Sequence, residues 1–162
     1  MSVIRSAASV AATVVLWFAL PVLNAQWAAP SPSSASSIPA SQLVHVDELN
    51  RILSAHGAER PLILQVGSRV MFAQAHIPGS EYAGTASQDS GAQQLRARAA
   101  HLPRKTFIVL YCGCCPWNRC PNVGPAYSLL SGMGFTRVKV LYLADNFGAD
   151  WVSLGFPVAT GS

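Results

Sequence analysis

The sequence predicts an α/β layer fold with parallel strands, and two observations predict it. Three short apolar runs, Pro61-Leu-Ile-Leu-Gln-Val66, Phe107-Ile-Val-Leu-Tyr111 and Val138-Lys-Val-Leu-Tyr-Leu143, have the length of strands and lack the alternation of a half-exposed sheet. Segments with helical spacing lie between them, and strands alternating with helices pack as a parallel sheet with helical layers. The chain has 162 residues, 51% of them hydrophobic and 11% charged, which suits one domain with an ample core and argues against disorder.

From the beginning of the chain, Met1 to Ala25 has Arg5, an apolar run through Leu16, Trp17, Phe18 and Leu20, then Pro21 and a small-residue site ending at Ala25. That is the three-part layout of a secretory signal. The alternative is a retained membrane anchor, but the apolar run is shorter than the roughly 20 residues of a spanning helix and contains Pro21. Gln26, not a cysteine, follows the cleavage site, which argues against a lipoprotein. The expectation is an exported protein, periplasmic or extracellular, that meets the membrane only through this segment before cleavage. Residues 26–40 are rich in Ala, Ser and Pro and read as a flexible linker, so the folded domain is expected over 41–162.

Within that domain, Leu43 to Val46 is β-prone, and Val46 to Gly57 places Leu49, Ile52 and Leu53 at helical spacing with Gly57 as the stop. The strand over 61–66 closes at Gly67 and Ser68. A helix follows over Asp89 to His101, with Asp89 or Ser90 as its N-cap. After the strand over 107–111, a helix is predicted over Val123 to Met133, ended by Gly134, with Pro121 or Pro125 at its first position. The last strand is 138–143, and no internal repeat is present.

The net charge of +4 falls by one with the loss of Arg5 and is too scattered for nucleic-acid binding. Arg96, Arg98, Arg104 and Lys105 cluster around His101, as a solvated helix face or a weak attractor of small anions.

All four cysteines, Cys112, Cys114, Cys115 and Cys120, fall within nine residues directly after the central apolar run. Thiolates are strong nucleophiles and soft metal ligands, so gathering them at a strand's end points to a chemical site. In a parallel sheet, ligands bind where the carboxyl ends of strands meet the amino ends of helices, and Cys112 lies at such a junction. Free helix-end amides there would lower its pKa and cradle a persulfide anion. Arg119 is the candidate fixed charge for an anionic donor such as thiosulfate. Cys112 and Cys115 form a CxxC pair, and Cys114 or Cys120 can also resolve a mixed disulfide. Disulfides that staple the loop, or a bound metal, are the other uses of four such cysteines.

Further residues carry a family resemblance. Ala75-His76-Ile77-Pro78-Gly79-Ser80 resembles the Gly-His-Ile-Pro-Gly-Ala signature of the rhodanese family, and Ile108-Val-Leu-Tyr-Cys112 resembles its strand running into the active cysteine. Gly134-Phe135, Val138, Trp151 and Gly155-Phe-Pro-Val158 are similar to its C-terminal pattern, so the likeness spans about residues 41–160 in order. The resemblance implies a three-layer fold around a mostly parallel five-stranded sheet, with Cys112 as the sulfur-carrying nucleophile. The chain departs from the family at Gln65-Val66-Gly67, where Asp-Val-Arg is usual, and in a longer loop with three extra thiols, Pro116, Trp117 and Pro121.

The expected function is therefore a sulfurtransferase or persulfide carrier with catalytic Cys112, Arg119 and a resolving Cys115. Gly113, Cys114, Pro116, Trp117, Asn118 and Cys120 would line the substrate. The expected partners are a small anionic sulfur donor and a thiol acceptor or redox protein, with no cofactor. The alternative is a rhodanese-like redox, metal-binding or interaction module without sulfur turnover. His76 reads as a structural residue of its turn, Trp151 as core, and Trp117 as a possible shield of the sulfur.

Overall fold

The computed structural model describes residues 38–57 and 59–161. The expected signal segment and residues 26–37 of the expected linker lie outside the described residues. The end of that linker is packed: Ile38 is buried against the core, and a single helical turn over Ala40–Gln42 leads into the first strand.

Five strands, β1 (Leu43–Val44), β2 (Leu62–Gln65), β3 (Glu81–Tyr82), β4 (Ile108–Tyr111) and β5 (Val138–Leu141), form one sheet in the order β1-β5-β4-β2-β3. Every pairing is parallel, with Leu62 to Gln65 in register with Ile108 to Tyr111 and Ile108 to Leu110 with Val138 to Val140. The α-helices are α1 (Val46–Ser54), α2 (Arg69–Gln74), α3 (Asp89–Ala99) and α4 (Val123–Gly132). Among the described residues no helix is long and apolar enough to cross a membrane.

The three predicted apolar runs are the three central strands, and all four residues of β4 are buried because helical layers cover both of its faces. Side chains alternate across the sheet, so Ile108, Leu110 and Cys112 join one core with Leu95, Ala99, Val123, Ala126 and Leu130 from α3 and α4. Val109 and Tyr111 join the other, with Leu49, Ile77, Leu141, Phe147 and Trp151. Trp151 is fully buried, its ring meets Phe156 edge-on at 5.1 Å, and its Nε1 donates to Pro157 O at 2.9 Å. Trp151→Ala is expected to cost about 3–5 kcal/mol of stability, read as a fall in the urea midpoint.

Several expectations needed correction. The strand predicted over 61–66 is 62–65, α1 stops at Ser54, and α3 begins at Asp89 without a side-chain cap. Pro125 sits in the first turn of α4, not at its first position, which is tolerated because its missing N–H has no intrahelical acceptor there. Gly134 closes α4 as expected, at φ +88°, with the amide of Phe135 bonded back to Leu130 O at 3.1 Å. The short α2 and two-residue β3 carried no periodic signal long enough to read from residue pattern.

The chain leaves β2 for β3 on one side, then returns to β4 and continues to β5 on the other. That reversal opens a crevice beyond the carboxyl ends of β2 and β4, the usual ligand position in an open parallel sheet. Gly67 follows β2 there and Cys112 follows β4.

Candidate active site

Cys112 is held from both sides of the crevice. Its carbonyl accepts from Gln65 Nε2 at 2.9 Å, and Gln65 Oε1 accepts from the amide of Gly67 at 3.2 Å. Gly67 lies so close to the cysteine that a Cβ there would stand 2.7 Å from Cys112 Sγ and 2.9 Å from Cys112 O. Only the absence of a side chain leaves the sulfur its place. Tyr111, one residue earlier, ties the strand to the Ile77–Ser80 turn, since its hydroxyl accepts from the Ile77 amide at 3.3 Å and bonds Ser80 Oγ at 3.2 Å. Burial pushes the Tyr111 phenol up to about 12, so it stays a neutral strut.

The thiol itself is surrounded by donors. Asn122, buried at the start of α4, donates from Nδ2 to Cys112 Sγ at 3.3 Å, while its Oδ1 accepts from the Ser87 amide at 3.0 Å. Cys114 Sγ lies 3.3 Å from Cys112 Sγ, and the sulfurs of Cys112, Cys114 and Cys120 all lie within 4.8 Å of one another. The Cys112 pKa is lowered to about 6, first by the hydrogen bond from Cys120; burial opposes this, and Asn122 and the thiol and amide of Cys114 add to it. Cys120 goes the opposite way because its proton is held by Cys112. Cys114 also goes up, by desolvation of its sulfur and its bonds to Cys115 and Cys112. Of these three thiols, Cys112 is the one whose charged form is favoured.

Helix-end amides enter by an indirect route. The amides of Asn122 and Val123, at the amino end of α4, bond to the sulfur of Cys120, and Cys120 in turn bonds to Cys112. Among the loop amides, that of Cys114 bonds to the Cys112 sulfur, whereas those of Trp117, Arg119 and Cys120 are used by Leu143 O, Pro116 O and Trp117 O. The Cys112 sulfur is therefore held by one loop amide together with side-chain donors.

A cleft of about 250 Å³ opens in front of Cys112, lined by Met71, Gln74 and Ala75 of the α2 region, by Gly113 and Cys114, and by Asn146, Phe147 and Val152. Among the described residues, no charged side chain lines it. Asp150 shapes its far wall, with one carboxylate oxygen accepting from the amides of Asp145 at 2.7 Å and Asn146 at 3.0 Å. A wide helical turn over Gly148–Val152 then presents Phe147 and Val152 to the opening.

No family model matches the chain. No curated protein matches it either. Solved structures do. The rhodanese-like domain of the Alr3790 protein from Anabaena sp. aligns at 23% identity over 74% of this chain and 79% of that one, with a TM-score of 0.54. The BH2092 protein from Bacillus halodurans aligns at 19% identity over 74% and 77%, with a TM-score of 0.58. A rhodanese-related protein from Thermoplasma volcanium aligns at 16% identity over 73% and 97%, with a TM-score of 0.51. The chain has the rhodanese-like fold.

On this rhodanese-like frame the expected site residues separate into two groups. Cys112, Gly113, Cys114 and Cys120 gather around the sulfur. Arg119 does not: it is exposed at the end of the helical turn Trp117–Arg119 and is not among the residues lining the cleft. With Arg119 outside the cleft lining, charge assistance from it is not supported by this geometry. Cys115 bonds to Cys114 at 3.0 Å, and it is Cys114 that contacts Cys112. The chain bends at Gly113, whose φ of +93° favours glycine, and this bend turns residue 114 toward residue 112. Pro116 and Asn118 stand apart from the cleft lining. Trp117 packs toward Tyr142, ring centroids 6.2 Å apart, and is not among the residues lining the cleft, whereas Phe147 is.

Sequence reasoning missed Asn122, Phe147 and the role of Gly67. Asn122 carried one usable signal, a polar residue just before a helix, but its side chain turns to Cys112 in place of capping α4. His76 is structural, as read: its Nδ1 bonds Phe72 O at 2.8 Å, its ring stacks on Phe72, and its backbone pairs with Ala159.

The lowered thiol predicts a pH profile. Alkylation of Cys112 by iodoacetamide, followed by peptide mass mapping, is expected to fall as pH drops through about 6 and to level off above it, because only the thiolate reacts. A midpoint at the ordinary thiol value near ~8.5 would contradict the donor set described.

Proposed function

We propose that this protein carries sulfane sulfur as a persulfide on Cys112, acting as a sulfurtransferase or persulfide carrier. The observation that carries the reading is the buried Cys112 sulfur, gathered with Asn122, Cys114 and Cys120 beside an open cleft that it helps to line. The Cys112 thiolate attacks the outer sulfur of a donor R–S–SH; the S–S bond breaks, R–SH leaves with the proton, and Cys112–S–S⁻ remains. An acceptor thiolate then attacks the outer sulfur, forming R′–S–S⁻ and restoring the Cys112 thiolate. The donors that hold one sulfur anion hold the other as it develops.

The neutral lining selects the donor. Thiosulfate, a dianion, would lose its hydration with no cation in return, so the proposed donor is the persulfide of a small thiol. The resolving thiol is Cys114: its attack on the inner sulfur forms the Cys112–Cys114 disulfide and releases HS⁻, and a reducing thiol partner restores both cysteines. Export, as the N-terminal residues suggest, would place this chemistry where such a partner is required.

Mass spectrometry tests the reading. Incubation of the reduced protein with a small-molecule persulfide is expected to add one sulfur atom, removed again by a thiol acceptor. A chain that gains no sulfur under these conditions, with its thiols shown to be free, would refute it.

A further inference from the structure

We infer that Cys112, Cys114 and Cys120 form a three-thiolate site for a soft monovalent metal ion, of which Cu(I) is the natural occupant. Three sulfurs around one ion at about 2.3 Å stand roughly 4 Å apart in a trigonal plane. Here the Cys112–Cys114 edge is 3.3 Å and no edge of the triangle exceeds 4.8 Å, so the sulfurs need shift by only a fraction of an ångström. This is the group of metal-ligating side chains found among the described residues, and it contains no histidine or carboxylate. Pure thiolate donors select soft ions, and three of them suit Cu(I) better than Zn(II), whose structural sites are almost always closed by a fourth ligand.

The triangle is built by two backbone features. Gly113, at φ +93°, folds residue 114 back onto residue 112, and a side chain there would approach Phe147 Cβ to 3.2 Å. The helical turn Trp117–Arg119, anchored by the Trp117 amide on Leu143 O at 3.0 Å, returns the chain so that Cys120 is buried beside Cys112. Asn122 then donates to the Cys112 sulfur from outside the triangle, the position from which surrounding groups orient metal ligands. Cys114 is the exposed corner and the entry point. Cys115 touches Cys114 but does not belong to the group.

The site does not depend on sulfur transfer, and its test is independent of it. The reduced protein, under anaerobic conditions, is titrated with Cu(I) against the chelator bicinchoninate. One ion per chain is expected, with three sulfur scatterers in its X-ray absorption spectrum. Cys114→Ala and Cys120→Ser are each expected to weaken binding by at least about 100-fold, and Cys115→Ala to bind as the parent does. Cys114 is exposed, so its variant does not risk the fold. Failure to compete with the chelator, a two-sulfur shell, or equal loss in Cys115→Ala would overturn the site. So would tighter binding of Zn(II) through four sulfurs. None of these results bears on whether Cys112 accepts sulfane sulfur.

Discussion

Cys112→Ser is expected to gain no sulfur atom from a persulfide donor while keeping the parent's thermal midpoint. A serine hydroxyl fills nearly the same space and can still accept from Asn122 Nδ2, but it stays protonated where the thiol is lowered to about 6. The remaining cysteines are less well placed. Cys114 and Cys120 are both raised, and Cys115 is not among the residues lining the cleft. Retained sulfane labelling in the variant, with the label mapped to another cysteine, would remove Cys112 from its role. Cys114→Ser separates the two thiols: it is expected to load sulfur but to form no Cys112–Cys114 disulfide and release no sulfide in the absence of an acceptor.

Gly67→Ala is the other large effect. The new methyl would meet Cys112 Sγ at 2.7 Å, Cys112 O at 2.9 Å and Gln65 Nε2 at 3.1 Å, and one of those contacts is backbone. Relief requires the sulfur or the end of β4 to move by a sizeable fraction of an ångström, away from Asn122 and Cys120. Misplacing a reacting atom by about 1 Å can cost about 100-fold in rate, and that is the expected loss in sulfur loading and in Cys112 alkylation. The overpacking should cost about 1–3 kcal/mol of stability, so the fold survives to be measured. A variant with the parent's alkylation rate would show that the close approach of β2 to the cysteine has no bearing on its reactivity.

The same contact explains a departure that the sequence left ambiguous. Where the rhodanese pattern has Asp-Val-Arg, this chain has Gln65-Val66-Gly67. A polar link is present there: the amide of Gln65, a residue 2% exposed, bridges Cys112 O and the Gly67 amide across the gap between β2 and β4. A side chain at 67 would collide with the Cys112 sulfur where it now lies, so the glycine and this position of the sulfur belong together.

What the sequence by itself determined was the layer architecture and the place of Cys112 directly after the central strand. The burial of β4 at every residue, and of β2 and β5 at all but one each, leaves a local signature, because each residue's environment is set by its own strand, and a cysteine directly after such a strand must emerge at the sheet's carboxyl edge. The neighbours of that cysteine were decided only by the tertiary structure. Gly67 and Asn122 reach Cys112 from β2 and α4, Phe147 arrives from beyond β5, and Arg119 is carried away by a single helical turn. The choice of Cys114 over Cys115 followed from one φ angle at Gly113. Spacing along a chain states which side chains are close in number, whereas bonds to one sulfur depend on angles at every intervening residue and on contacts between segments far apart in sequence.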